Sequence, residues 1–289
     1  MTCAKIFTGL ASPLSPEPTD AKTIIDPLPG IRAVFFDVYG TLIISSVGDI
    51  SLVKDENRDA VMARCLAAYG FGIPHDNRDG ISKRFREIVA EHQAKEKAQG
   101  TDWPEVEIRF VWRDLISSYG FPEAEIETCE HLATYYEAQV NAVWPMPNAL
   151  TLLEKIQERG LCLGIVSNAQ FFTPHMFTAF FDKDVETLGF QPEHSHWSFA
   201  HLKAKPSTAL YENAAEALAS SGISPEEVLY IGNDMRNDVA PAHKVGFKTV
   251  LFAGDARSLR WREGDSIVGD IQPDRVVTDL IQILDILGG

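Results

Sequence analysis

Ala33-Val34-Phe35-Phe36-Asp37-Val38-Tyr39-Gly40-Thr41-Leu42 is the stretch from which the fold can be read. Four consecutive apolar residues predict a strand buried on both faces. It stops at a carboxylate, and a Gly-Thr turn follows at once. In open α/β sheets ligands sit beyond the carboxyl ends of the strands. An aspartate placed there can serve as a nucleophile, a metal ligand or both. Taken alone, Asp37 reads equally well as a turn or helix-capping residue. The partners that appear downstream decide between the two.

The organisation around this strand is uneven. Residues 1–29 hold Pro13, Pro16, Pro18, Pro27 and Pro29 with few periodic apolar positions and predict an irregular arm. From about residue 49 to 141 strand-like runs vanish and helical periodicity takes over. Helices are expected near 53–69, 80–98, 105–119 and 123–141, with Pro104, Glu105 and Glu107 opening the third. An α/β rhythm then resumes. A helix at 148–159 leads to a strand at 161–166, then a helix at 174–183 and a short strand at Trp197-Ser198-Phe199. A helix at 207–220, a strand at 228–231, a helix at 237–245 and a strand at 247–251 follow. Val276-Val277 marks a last strand and 280–287 a closing helix. Strands alternating with helices predict right-handed crossovers and a parallel sheet.

The bulk composition excludes some roles. The chain has 289 residues, 45% of them hydrophobic and 23% charged, which is ordinary for a globular protein with ample core. A net charge of −15 argues against nonspecific binding to nucleic acid or anionic membrane and leaves a small molecule as the expected partner. The cysteines, Cys3, Cys65, Cys129 and Cys162, are scattered without a CxxC pair, so neither a zinc site nor a disulfide framework is expected. No apolar run reaches the length of a membrane span, and the proline-broken N-terminus makes a poor signal peptide. These features predict a cytoplasmic protein.

Three further strand ends carry chemistry. Strand 161–166 runs into Ser167-Asn168, a hydroxyl and an amide that can hold an anionic oxygen or simply cap a helix. Lys205-Pro206 stands at a helix mouth, where a lysine neutralises charge between a carboxylate and a phosphate or merely lies in solvent. The run Ile231-Gly232-Asn233-Asp234-Met235-Arg236-Asn237-Asp238 places two carboxylates four residues apart after an apolar strand. This suits Mg²⁺, or an acidic first turn favoured by the helix dipole.

Taken in order, these four segments resemble the motifs of the haloacid dehalogenase-like hydrolase superfamily. The first motif matches at Asp37, Gly40 and Thr41, and the second at Ser167 with Asn168. The third matches at Lys205, Pro206 and Tyr211, and the fourth at Asp234 and Asp238 with Gly232 before them. The resemblance runs from about residue 31 to 288. It implies an α/β fold: a Rossmann-like parallel-sheet core (30–48 and 142–289) with an inserted all-helical cap (49–141). It further implies that Asp37 attacks phosphorus to form an aspartyl-phosphate, that Ser167 and Asn168 hold phosphoryl oxygens, and that Lys205 neutralises charge. Mg²⁺ would be held by Asp37, the backbone carbonyl of Tyr39, Asp234 and Asp238. Thr41 joins the substrate-binding set. On the third predicted helix Arg109 and Arg113 lie i,i+4 beside Trp112 and are candidate substrate contacts, although the same spacing describes a solvated helix face.

Two positions depart from the family pattern. Tyr39 stands where the family's phosphatases carry a second Asp, and tyrosine there resembles the 2-haloacid dehalogenases, in which the aspartate displaces halide from carbon. A phenol of pKa near 10 is a poor base, and losing that acid–base group costs roughly 10²–10⁴-fold in rate. Asn233 takes the place of an Asp in one form of the fourth motif, while Asp234 and Asp238 retain the acidic pair that dehalogenases lack. The sequence therefore predicts a Mg²⁺-dependent phosphohydrolase acting on a small phosphorylated metabolite. A 2-haloacid dehalogenase and a catalytically weak ligand-binding member are the alternatives.

Overall fold

The apolar run at the head of the first motif lies at the centre of the molecule. A computed structural model describes residues 2–47, 58–74 and 78–288. In it β1 (Ala33–Phe36) is wholly buried and flanked in parallel by β4 (Cys162–Ser167) and β6 (Val228–Gly232). Outside these lie β5 (Phe190–Trp197) on one side, and β7 (Lys248–Phe252) and β8 (Arg275–Val277) on the other. The order is β5-β4-β1-β6-β7-β8, parallel at every pairing. Alternation along β1 explains why both faces are apolar. Val34 and Phe36 enter one large core cluster, whereas Ala33 and Phe35 enter a second, built with Leu210, Tyr211, Ala214 and Leu218.

Helices cover both faces. In chain order they are α1 (Cys3–Leu10), α2 (Arg58–Ala68), α3 (Ile81–Ala98), α4 (Ile108–Ser118), α5 (Ile126–Val140), α6 (Ala149–Glu158), α7 (Thr173–Phe181), α8 (Ser198–His201), α9 (Ala209–Ala219), α10 (Ala240–Val245) and α11 (Ile283–Ile286). α2 to α5 form one inserted block. The chain leaves the sheet through β2 (Ile43–Ser45) and returns through β3 (Val143–Pro145), and these two short strands pair antiparallel, Ile44 opposite Trp144. The insertion has its own aromatic centre, with Trp112 stacked against Phe85 and Tyr136 at centroid distances of 5.0 and 5.2 Å.

Several sequence-based expectations are corrected. The arm at 1–29 is not irregular throughout: Thr2 caps α1, whose Cys3, Ile6 and Phe7 are buried between α5 and α7. Phe7 meets Phe172 edge-on at 6.1 Å, and Thr134 of α5 donates to Cys3 Sγ at 3.3 Å. The prolines begin only at Pro13, after the helix has ended. The third inserted helix starts at Ile108, with Glu107 as its cap, rather than at residue 105. Residues 103–105 run extended against residues 202–204. The segment read as a short strand at 197–199 is the end of an eight-residue strand followed by a helical turn. Polar residues at 191–195 concealed the strand, which lies at the sheet edge. Most of the expected start of the first inserted helix, 53–57, lies outside the described residues.

Strand β2 and the end of α5 are tied to a buried carboxylic acid. Ser45 Oγ donates to Asn141 Oδ1 (2.9 Å), and Asn141 Nδ2 donates to Glu137 Oε1 (2.9 Å). Burial pushes the Glu137 carboxyl up to about 7, against the opposing hydrogen bond from Asn141. A carboxyl with a raised folded-state pKa keeps its proton while the unfolded chain has released its own. Its contribution to stability therefore falls as pH rises from about 4.5 to about 7. Glu137→Gln is expected to flatten that part of the profile and to raise the melting temperature at pH 8 relative to the parent. Parallel pH-dependent melts of the two chains would contradict this account of Glu137.

Candidate active site

Asp37 ends β1 and is 7% exposed. The turn that follows requires glycine. Gly40 has φ +78°, and a Cβ there would lie 2.5 Å from Ser258 Cβ. The turn therefore fits tightly beneath the loop after β7. Thr41, wholly buried, donates to Asn233 Oδ1 at 3.2 Å and so fastens the first motif to the fourth.

The other strand ends converge on Asp37. Ser167 Oγ donates to Asp37 Oδ1 at 2.8 Å, and Lys205 Nζ donates to the same oxygen at 2.9 Å. Lys205 reaches Asp238 Oδ1 as well, at 2.5 Å, so one buried ammonium bridges two carboxylates. Burial disfavours the charged amine, but Asp238 and Asp37 outweigh it and hold Lys205 above the ordinary lysine range. Burial in turn holds Asp238 above the usual carboxylate range, with Lys205 the main opposing influence. Asn168 positions the lysine's backbone: its Oδ1 accepts from Lys205 N (2.7 Å) and its Nδ2 donates to Lys205 O (3.3 Å). Tyr230 brings its hydroxyl to 2.8 Å from Val166 O and 3.1 Å from Asp238 Oδ1. Gly232 makes room for this cluster, since a Cβ there would lie 2.3 Å from Asp238 Cγ.

Asp37 Oδ2 takes no hydrogen bond from the described residues and belongs to a cavity of about 630 Å³. The floor comes from the sheet ends, including Asp37, Lys205, Asn233 and Asp234. The inserted helices contribute Arg58, Arg86 and Val89. Arg260 and Arg262 line it from the loop after β7. In a chain of net charge −15, four arginines and Lys205 line this one cavity together with the carboxylates of Asp37, Glu105, Asp234 and Asp238. Tyr39 lines the same cavity, its hydroxyl 3.0 Å from Thr173 Oγ1. Burial, reinforced by Glu137, raises the phenol well above its ordinary pKa, so Tyr39 stays neutral.

The donors suit a hard cation in their chemistry. Asp37 Oδ2 is open and Asp234 is a second carboxylate in the same cavity. Asp234 already receives positive charge from a guanidinium, that of Arg262, with Nη2 2.6 Å from Oδ2. Asp238 is turned inward, its Oδ1 on Lys205 and its Oδ2 accepting from Asp234 N (2.9 Å), and supports the site from behind. Among the described residues no three His, Cys, Asp or Glu side chains gather as a metal group.

Of the residues named from sequence, Asp37, Tyr39, Asn168, Lys205, Asp234 and Asp238 line the cavity, and Ser167 bonds to Asp37 behind it. Arg109 and Arg113, the candidate substrate contacts, do not line this cavity. Arg109 is held by Glu107 (2.5 Å) and Glu130 (2.6 Å), and Arg113 by Glu123 (3.1 Å). The arginines that do reach the cavity are Arg58, Arg86, Arg260 and Arg262. The sequence reading missed them, although Arg260-Trp261-Arg262 in an acidic chain was a visible signal.

A strand-end carboxylate, a buried lysine and an acidic loop stand together at the carboxyl edge of a parallel sheet. Residues 31–246 match the family model for haloacid dehalogenase-like hydrolases, and the chain belongs to that family. Its sequence is 25% identical over 258 residues to a glyceraldehyde 3-phosphate phosphatase of Methanopyrus kandleri, covering 85% of this chain and 94% of the relative. The fold resembles a 2-haloacid dehalogenase of Pseudomonas syringae pv. Tomato DC3000 (TM-score 0.54, 18% identity, 89% of this chain and 98% of the other). It equally resembles a HAD phosphatase of Thermococcus onnurineus (TM-score 0.53, 20% identity, 90% and 99%). No described helix is long and apolar enough to cross a membrane.

Lys205→Met is expected to leave two buried carboxylates facing each other and to destabilise the fold by about 3–5 kcal/mol. Chemical denaturation at neutral pH measures this. A loss below about 1 kcal/mol, the range of exposed ion pairs, would contradict the bridging role.

Proposed function

We propose that the protein is a phosphohydrolase acting on a small phosphorylated metabolite through an aspartyl-phosphate on Asp37. One observation carries the reading: Asp37 has one oxygen fixed by Ser167 and Lys205 and the other open to an arginine-lined cavity. A carboxylate held in this way is pre-aimed, which removes orientational cost from the attack. Asp37 Oδ2 forms a bond to phosphorus, the bond to the leaving oxygen breaks, and that oxygen takes a proton from solvent in the cavity. Water then attacks phosphorus and releases phosphate and the free carboxylate. Lys205 keeps Asp37 from repelling the incoming dianion. Asn168 holds the lysine in register, and the inserted helices act as a cap whose Arg58 and Arg86 meet the substrate. The phosphatase relative that aligns with most of the chain supports this reading.

Mg²⁺ is the proposed cofactor, with Asp37, the backbone carbonyl of Tyr39 and Asp234 to hold it and Asp238 behind them. It would supply charge shielding between the nucleophile and the phosphoryl oxygens. The free, mostly buried cysteines agree with a reducing compartment, so we place the protein in the cytoplasm. Tyr39 favours a second reading, halide displacement from a 2-halo acid by the same aspartate. A neutral phenol cannot act as the general base that a phosphatase needs for the water step.

A screen of phosphorylated metabolites and 2-halo acids, with and without Mg²⁺, tests the two readings. Phosphate release that needs Mg²⁺ and vanishes in Asp37→Asn supports the first; metal-independent chloride release supports the second. Tyr39→Asp is expected to raise hydrolysis of an aryl phosphate by about tenfold or more, because it restores a group that exchanges protons near neutral pH. Unchanged phosphatase activity together with lost chloride release would overturn the phosphohydrolase reading.

A further inference from the structure

Arg262 occupies an unusual position in this site. It follows Arg260 on the loop after β7 and has φ +55°, a left-handed conformation that a non-glycine residue keeps only where its surroundings impose it. The surroundings do so here. Arg260 N donates to Asn233 O (2.9 Å) and Met235 N donates to Arg260 O (2.9 Å), which lays the loop along the acidic motif as a parallel bridge. The guanidinium is thereby delivered onto Asp234. Nη2 lies 2.6 Å from Oδ2, and Nε lies 3.1 and 3.2 Å from the two oxygens.

The rest of Asp234 is also taken. Oδ1 accepts from Arg236 N (2.8 Å) and Asn237 N (3.3 Å), and Oδ2 from Asn237 Nδ2 (3.2 Å). A carboxylate offers about four lone-pair sites. A small hard cation needs one of them at about 2.0–2.1 Å. The backbone donors are fixed by the turn, whereas the guanidinium sits at the end of a flexible stem, 31% exposed in the cavity it lines. Of the donors to Asp234 it is the one that carries a charge.

We propose that Arg262 is a tethered competitor for the divalent cation. While the site lacks metal, its guanidinium pairs with Asp234 and holds it in place. When a cation takes Asp234, the guanidinium moves into the cavity and meets the anionic group of the substrate. Metal binding and anion binding are then coupled through one side chain. The proposal rests on the Mg²⁺ reading given above. Arg262 acts on the metal through Asp234 and is in that respect a positioning residue.

Calorimetric titration of the full chain with MgCl₂ alone, then with inorganic phosphate at saturating Mg²⁺, tests it in the parent, Arg262→Gln and Arg262→Lys. Removing the charge-assisted bonds is expected to tighten Mg²⁺ binding by about tenfold in Arg262→Gln and to weaken phosphate binding by a similar factor. A merely structural loss would weaken both, so the opposite signs are diagnostic. Arg262→Lys keeps the charge but cannot span both oxygens, and is expected to fall between. If Arg262→Gln does not fold, the lysine variant carries the comparison. Equal or weaker Mg²⁺ affinity in the variants, or unchanged phosphate affinity, overturns the competitor role while leaving the Mg²⁺ reading intact. No Mg²⁺ binding in any of the three chains overturns both.

Discussion

One buried ammonium group holds the site together. Lys205 Nζ lies within hydrogen-bond reach of Asp37 and Asp238 and is almost fully removed from water. Without it, a carboxylate at the end of β1 and one in the helical turn after β6 would face each other in a medium where like charges repel far more strongly than in solvent. With it, the end of β1 and the turn after β6 can carry acids side by side. The cost of burying the lysine is offset only because both partners are charged and the remaining polar atoms are bonded, through Tyr230, Ser167 and Asn168. The same contact that permits the fold leaves Asp37 with one restrained and one open oxygen.

The cavity extends this logic outward. The chain is acidic overall, yet arginines from two places in the sequence line the cavity that Asp37 also lines. Arg58 and Arg86 arrive on the inserted helices and Arg260 and Arg262 on a core loop. The cavity therefore has both walls only when insertion and core are docked. Two features fix that docking. The paired strands β2 and β3 make a short stem, and α1 wedges between α5 of the insertion and α7 of the core. Phe172, which lines the cavity, is also the residue on which Phe7 of α1 rests. The N-terminal arm is thus in mechanical contact with the wall of the site.

The core was legible in the sequence because its strands are buried on both faces and read as unbroken apolar runs that stop at polar residues. Asp37 and Ser167 could be picked out for the same reason, each standing where an apolar strand stops, while Lys205 and Asp238 were marked by a helix mouth and by the acidic run after β6. Other features were not legible. β5 carries Gln191, Glu193 and His194 at the sheet edge and lacks the apolar signature, so only its end was noticed. Residues 103–105 resemble a helix start by composition but are drawn into extended pairing by residues 202–204, a tertiary contact that no local pattern announces. Arg109 and Arg113 occupy the spacing expected of a ligand-facing pair, yet glutamates on their own and neighbouring segments hold them elsewhere. Which face of an inserted helix looks inward depends on how the insertion docks, and that is set by contacts distant in sequence.

The central claim is that the open oxygen of Asp37 is the nucleophile. Quenching the enzyme during turnover of a phosphorylated substrate, reducing with borohydride and sequencing the peptide around Ala33–Leu42 by mass spectrometry tests it most directly. An acyl-phosphate on Asp37 is reduced to homoserine, and the account predicts that product at position 37 and nowhere else. An unmodified aspartate at position 37 under conditions of steady phosphate release would contradict it.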